Sequence, residues 1–105
     1  MTKLYLDDDL FGPLLPFVKD NKVRDISWNG KSLWVDRKEI KNSDVTNTFV
    51  KQLLANISSL VNIPFSQQEP MFSTETDTLR ISAVHPSVTN TGPCLAIRKY
   101  GRKFV

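Results

Sequence analysis

The stretch from Val23 to Arg37, V-R-D-I-S-W-N-G-K-S-L-W-V-D-R, places the tightest limit on what this chain can become. Two short runs rich in β-branched and aromatic residues flank Asn29-Gly30, and an Asn-Gly pair supplies the positive φ angles of a tight reversal. The stretch therefore reads as a β-hairpin. In the first arm Ile26 and Trp28 share one face, with Val23 and Ser27 on the other; in the second, Leu33 and Val35 oppose Trp34. Both faces carry apolar groups. Such a sheet needs covering on both sides, or one covered face and one functional face.

The rest of the chain supplies the cover. Before the hairpin, Gly12-Pro13 to Asp20-Asn21 predicts a short N-terminal helix, since proline is tolerated in a first turn. Asp7-Asp8-Asp9 suits the positive end of its dipole and reads as a solvated lead-in rather than a metal site. After the hairpin, Lys38 to Asn42 predicts a third short strand, and Ser43-Asp44 offers an N-cap. From there Val45, Phe49, Val50, Leu53, Leu54, Ile57, Leu60 and Val61 recur three and four apart, the stripe of one long amphipathic helix over about 44–62. Asn62 and Pro64 close it. A stripe of this kind is either a partner-helix groove or, in a domain this small, the face that packs on the sheet. The second half predicts three strands, Pro70 to Glu75, Leu79 to His85 and Cys94 to Tyr100, with Thr76-Asp77-Thr78 as the turn joining the first two. In the middle strand Leu79, Ile81, Ala83 and His85 share one face, and Arg80, Ser82 and Val84 the other.

The fold class is therefore α+β: a mixed or mainly antiparallel sheet with one long helix and one short one. At 105 residues, 40% hydrophobic and 24% charged, the chain holds one domain, over residues 1–100, followed by the start of a basic linker at 101–105. No run approaches the roughly 20 apolar residues that span a bilayer, so no membrane insertion is expected. One cysteine, Cys94, makes no internal disulfide, no zinc spacing of Cys and His occurs, and a cytoplasmic setting follows. The net charge of +3 is concentrated at the end, where Arg98, Lys99, Arg102 and Lys103 fall; without those four the body carries −1. That distribution speaks against nucleic acid.

Catalytic chemistry is nearly absent. There is no phosphate-cradling G-x-x-x-x-G-K-[ST] loop, no G-x-S-x-G elbow and no activating setting around Cys94. His85, the one histidine, stands before Pro86 and reads as a strand-end residue rather than a general base. Glu69, Glu75 and Asp77 have no feature marking an acid/base pair. Neither a catalytic residue nor a metal ligand is assigned.

The ordered fragments V-R-D-I-S-W-N-G, L-W-V-D-R, an amphipathic helix, E-P-M-F, L-R-I-S-A-V-H-P-S-V and G-P-C-L-A-I-R-K resemble the N-terminal domain of the type II and type IV secretion-system ATPases, the traffic ATPases of pilus assembly, secretion and conjugation. The resemblance runs from about Leu10 to Tyr100. It implies an α+β module joined by a short linker to a RecA-like ATPase domain, and a homo-hexamer that binds ATP, with Mg, mainly through that motor domain. It also implies inner-membrane secretion or pilus components as partners, and a place at the inner face of the cell membrane. The same resemblance points to Arg80 and Arg98 as contacts to nucleotide phosphates when the domain closes, while Asn29 and Gly30 remain a structural turn. A forked guanidinium on a moving domain would couple closure to nucleotide state. Many relatives carry an Asp-Gly-Ser type turn where this chain has Thr76-Asp77-Thr78. The plainer alternative pairs Arg80 with Asp77 or Glu75 and leaves Arg98 in a solvated tail.

Two further readings stand beside it. A single-stranded nucleic-acid module would use Trp28, Trp34 and Tyr100 as stacking platforms beside the basic end. A ligand-sensing domain would hold a pocket between helix and sheet.

Overall fold

A computed structural model describes residues 8–41, 43–76 and 78–100. The expected turn residue Asp77, the expected start of a basic linker at 101–105 and the leading residues 1–7 lie outside these. Six strands form one sheet in the order β3-β2-β1-β6-β5-β4, every neighbouring pair antiparallel: β1 (Asp25–Trp28), β2 (Leu33–Val35), β3 (Lys38–Ile40), β4 (Met71–Glu75), β5 (Leu79–Val84) and β6 (Cys94–Lys99). The chain makes two meanders, and the pairing of β1 with β6 joins them edge to edge.

Between the meanders, helix α2 (Asn47–Val61) carries the chain from one edge strand to the other. Its N-cap is Thr46, whose hydroxyl accepts the Phe49 N–H at 3.1 Å, and not Ser43-Asp44. A cap must sit one residue before the first helical φ/ψ, and Ser43 instead accepts the Val45 N–H in the preceding loop. At the other end Asn62 adopts the left-handed conformation (φ 60°), and Asn62 and Ile63 donate to Ser59 and Ser58, a Schellman closure. Val50, Leu53, Leu54 and Ile57 are buried and Val61 packs against the same core, whereas Leu60, expected on the same stripe, falls at its edge and is exposed.

The N-terminal helix comes in two pieces. A 3₁₀ segment, Asp8–Leu14, is broken at Gly12 and followed by a single helical turn, α1 (Leu15–Lys19). Phe11 and Leu14 still reach the core.

All of this cover lies on one side. Ile26, Trp28, Leu33, Val35, Phe72, Leu79, Ile81, Ala83, Leu95 and Ile97 form the buried face beneath α2 and the N-terminal segment. Each such aliphatic side chain removed from water contributes roughly 1.5–3 kcal/mol. The other face has no layer over it among the described residues. Its larger apolar members, Trp34 and Met71, are exposed.

The first hairpin forms where expected, with a different turn. Trp28 and Leu33 are its last pair, so the reversal is the four-residue loop 29–32, and only Gly30 in it has positive φ. Asn29 works through its side chain, which accepts the Lys31 and Ser32 N–H groups at 2.9 and 2.8 Å. The two-residue turn lies between β2 and β3, at Asp36 (φ 50°) and Arg37 (φ 75°).

Candidate functional site

On β6, Leu95 and Ile97 point into the core, so Ala96 and Arg98 point away from it; on β5, Ile81 and Ala83 do the same for Arg80 and Ser82. Register then brings these outward residues into rows. Asp25 stands opposite Arg98, Arg98 opposite Arg80, and Arg80 opposite Glu75, a line of four charges across four strands. The next row is small: Ser27, Ala96, Ser82 and Ser73, with Trp34 flanking Ser27. Asp25, Arg98 and Arg80 of the first row and Ser27, Ala96 and Ser82 of the second line, with Tyr100, an open depression of about 460 Å³ over β1, β6 and β5.

Two guanidiniums facing each other across neighbouring strands repel. Each is drawn to its outer neighbour instead. Arg98 donates through Nε to Asp25 Oδ1 at 3.1 Å, and Arg80 Nη1 lies 3.8 Å from Glu75 Oε2. All four side chains are more than half exposed, so each pair contributes at most about 1 kcal/mol. Neither arginine is held by a buried pair.

The end of β6 is fixed from behind. Lys99 points to the covered side and donates to the carbonyls of Phe17 (3.4 Å) and Asp20, tying β6 to the end of α1. Burial pushes the Lys99 pKa down, while Asp20 and Asp36 pull it back. The start of β1 is fixed by Asp36, whose Oδ1 accepts the Asp25 and Arg24 N–H groups at 2.8 and 2.9 Å. Those two bonds, with help from the Arg24 and Lys99 charges, hold its carboxyl below the ordinary carboxylate range. The folded-state pKa is thus lower than the unfolded one, so its contribution to stability is complete above the unfolded value and is lost as pH falls through the folded value. Asp36→Asn is expected to unfold in urea with a midpoint that depends less on pH than wild type between about pH 5 and pH 2. Equal slopes for the two proteins would refute this role.

The remaining candidates belong to the scaffold. Trp28 is buried, and its indole N–H donates to Asn47 Oδ1 at 2.7 Å, which removes it as a stacking platform. Trp34 and Tyr100 are exposed on the open side. His85 accepts the Ser87 N–H at 3.1 Å, capping a short 3₁₀ turn, and packs edge-on to Phe65. Cys94 is half-buried beside Gly92. Among the described residues no group of three His, Cys, Asp or Glu is placed to hold a metal ion, and no helix is long and apolar enough to cross a membrane. Asp25 was not singled out from sequence, because its place in the row depends on a pairing between β1 and β6.

No family model matches the chain. It is 30% identical over 94 residues to an uncharacterized protein of Bacillus anthracis, pXO2-25, and the match takes in 83% of this chain and 21% of that one. Its structure superposes on the VirB11 ATPase from the Brucella suis type IV secretion system, crystallised with sulphate. The TM-score is 0.79 at 18% identity, over 93% of this chain and 32% of that one. What is shared is the fold. The chain spans about a fifth of the Bacillus anthracis protein and about a third of the Brucella ATPase. The comparison bears out an α+β fold like that found in a secretion ATPase, and it extends over nearly the whole chain.

Proposed function

We propose that this chain is the N-terminal regulatory and assembly domain of a hexameric type II or type IV secretion ATPase. In this reading the open face closes over ATP held mainly by a RecA-like motor domain of the same protein. Arg80 and Arg98 then reach nucleotide phosphates, Mg accompanies the nucleotide, and neighbouring subunits and membrane-complex components contact the remaining surface at the inner face of the cell membrane. The observation that carries the reading is the juxtaposition of Arg80 and Arg98 on a sheet face without cover among the described residues, in a fold shared with such an ATPase. The domain supplies charge but no chemistry of its own, since it lacks phosphate-cradling amides.

The nucleic-acid reading keeps Trp34 and Tyr100 but loses Trp28 to the core, which leaves two aromatic platforms instead of three.

The test is to read the coding frame beyond the codon for Val105. The proposal expects a G-x-x-x-x-G-K-[ST] motif downstream in frame, and no ATP turnover by the purified 105-residue chain. A stop codon at that point, or turnover by the pure chain, would overturn it.

A further inference from the structure

The charge row does more than place two arginines side by side. Asp25 and Glu75 occupy its two ends, each one strand outward from an arginine, so the row runs acid, base, base, acid. The order separates two states of the same four side chains. With no anion present, mutual repulsion and the outer carboxylates draw Arg98 toward β1 and Arg80 toward β4. An anion seated between β5 and β6 must draw both guanidiniums inward and break both pairs.

The geometry points to Asp25 and Glu75 as a pair of gate residues that hold Arg98 and Arg80 apart and set the threshold at which phosphate captures them. This rests on the phosphate-contact role proposed above. Arg98 gives its Nε–H to Asp25, and one terminal N–H lies beside it on the same edge of the guanidinium, so a forked contact from that edge to an oxyanion requires the pair to open. The Arg80 pair, at 3.8 Å, is longer than a hydrogen bond and opens first. The gate selects for charge density. Orthophosphate offers one phosphoryl group to two arginines that each have a competing carboxylate, whereas a di- or triphosphate offers oxygens to both and outcompetes the two acids together. Neither carboxylate has another hydrogen-bond or ion-pair role among the described residues, so each can be neutralised without loss of the fold.

The experiment is a titration of the ¹⁵N-labelled 105-residue chain with inorganic pyrophosphate and, separately, orthophosphate, followed at the arginine Nε–H resonances. The variants are Asp25→Asn, Glu75→Gln, the double variant, Arg98→Ala, Arg80→Ala and a control, Glu69→Gln, which removes the same charge beyond the far end of β4. Exposed pairs of this strength correspond to factors of about two to five in affinity. The expected result is pyrophosphate binding tightened about two- to fivefold in each acid variant and about tenfold in the double variant, with little change in Glu69→Gln and loss of binding in either arginine variant. Orthophosphate should gain no more than pyrophosphate, because the gain equals the cost of opening the pairs and one phosphoryl group opens no more of them than two do. If the arginine variants abolish binding but the acid variants bind no tighter than Glu69→Gln, the gate is overturned and the phosphate contact stands. If no variant, the double one included, binds pyrophosphate at these resonances, the phosphate-contact reading falls and the gate with it.

Discussion

Gly30→Ala is expected to destabilise the domain by about 3 kcal/mol or more, a large share of the 5–15 kcal/mol typical of a domain. Gly30 has φ +94°, a region that costs an L-residue about 1–2 kcal/mol. A Cβ there would also lie 2.7 Å from the carbonyl carbon of Thr91, well inside contact distance and against backbone rather than a flexible side chain. Thr91 cannot easily retreat. Its hydroxyl donates to the Asn29 carbonyl at 2.6 Å, and Asn47 donates through Nδ2 to Gly30 O at 3.0 Å and to Thr91 O at 3.4 Å. Asn47 in turn accepts the buried indole N–H of Trp28. One asparagine at the start of α2 thus fastens the first hairpin, the helix and the loop before β6. Pushing Thr91 away strains all three. Urea unfolding would show the loss as a fall in midpoint with unchanged m; a shift worth less than about 1 kcal/mol would mean the contact yields and the network is not rigid.

The way these parts meet explains which of them could be read from sequence. Helix α2 was legible because its stripe is local: Val50, Leu53, Leu54 and Ile57 face one way whatever they pack on. Its start was not, because Ser43, Asp44 and Thr46 are all good caps and only the path of the preceding loop selects Thr46. The alternation of Arg80 and Ser82 against Ile81 and Ala83 was legible for the same local reason. The reversal at Asp36-Arg37 was not, since an arginine at φ 75° runs against residue preference and is sustained by the Asp36 carboxylate binding Arg24 and Asp25. Trp28 and Trp34 looked alike in sequence. Their separation into core and open face follows from the helices and the N-terminal segment packing, among the described residues, on the Trp28 side of the sheet. The site was half legible, in that the resemblance picked out Arg80 and Arg98 and alternation set Arg80 on the face opposite Ile81 and Ala83. That they are neighbours, with Asp25 and Glu75 at the ends of the row, depends on the β1–β6 and β5–β6 registers, which join residues far apart in the chain.

Arg98 carries the heaviest functional expectation. Its side chain takes no part in the core, and its pair with Asp25 is exposed, so removing it should cost the domain no more than about 1 kcal/mol. In an assembled ATPase its guanidinium would meet phosphate in a site from which closure excludes water, where a forked, charge-assisted contact is far stronger than on the surface. The two environments separate function from stability by at least an order of magnitude. Lysine at this position would keep the charge and lose the fork, and so should recover only part of the activity.

The measurement that tests this account most directly is ATP turnover by the secretion ATPase proposed above carrying Arg98→Ala, set beside the urea midpoint of the 105-residue chain with the same substitution. The account predicts kcat/KM reduced about tenfold or more, with a stability change within about 1 kcal/mol. Turnover at the wild-type rate, or a loss of activity matched by an equal loss of folding stability, would contradict it.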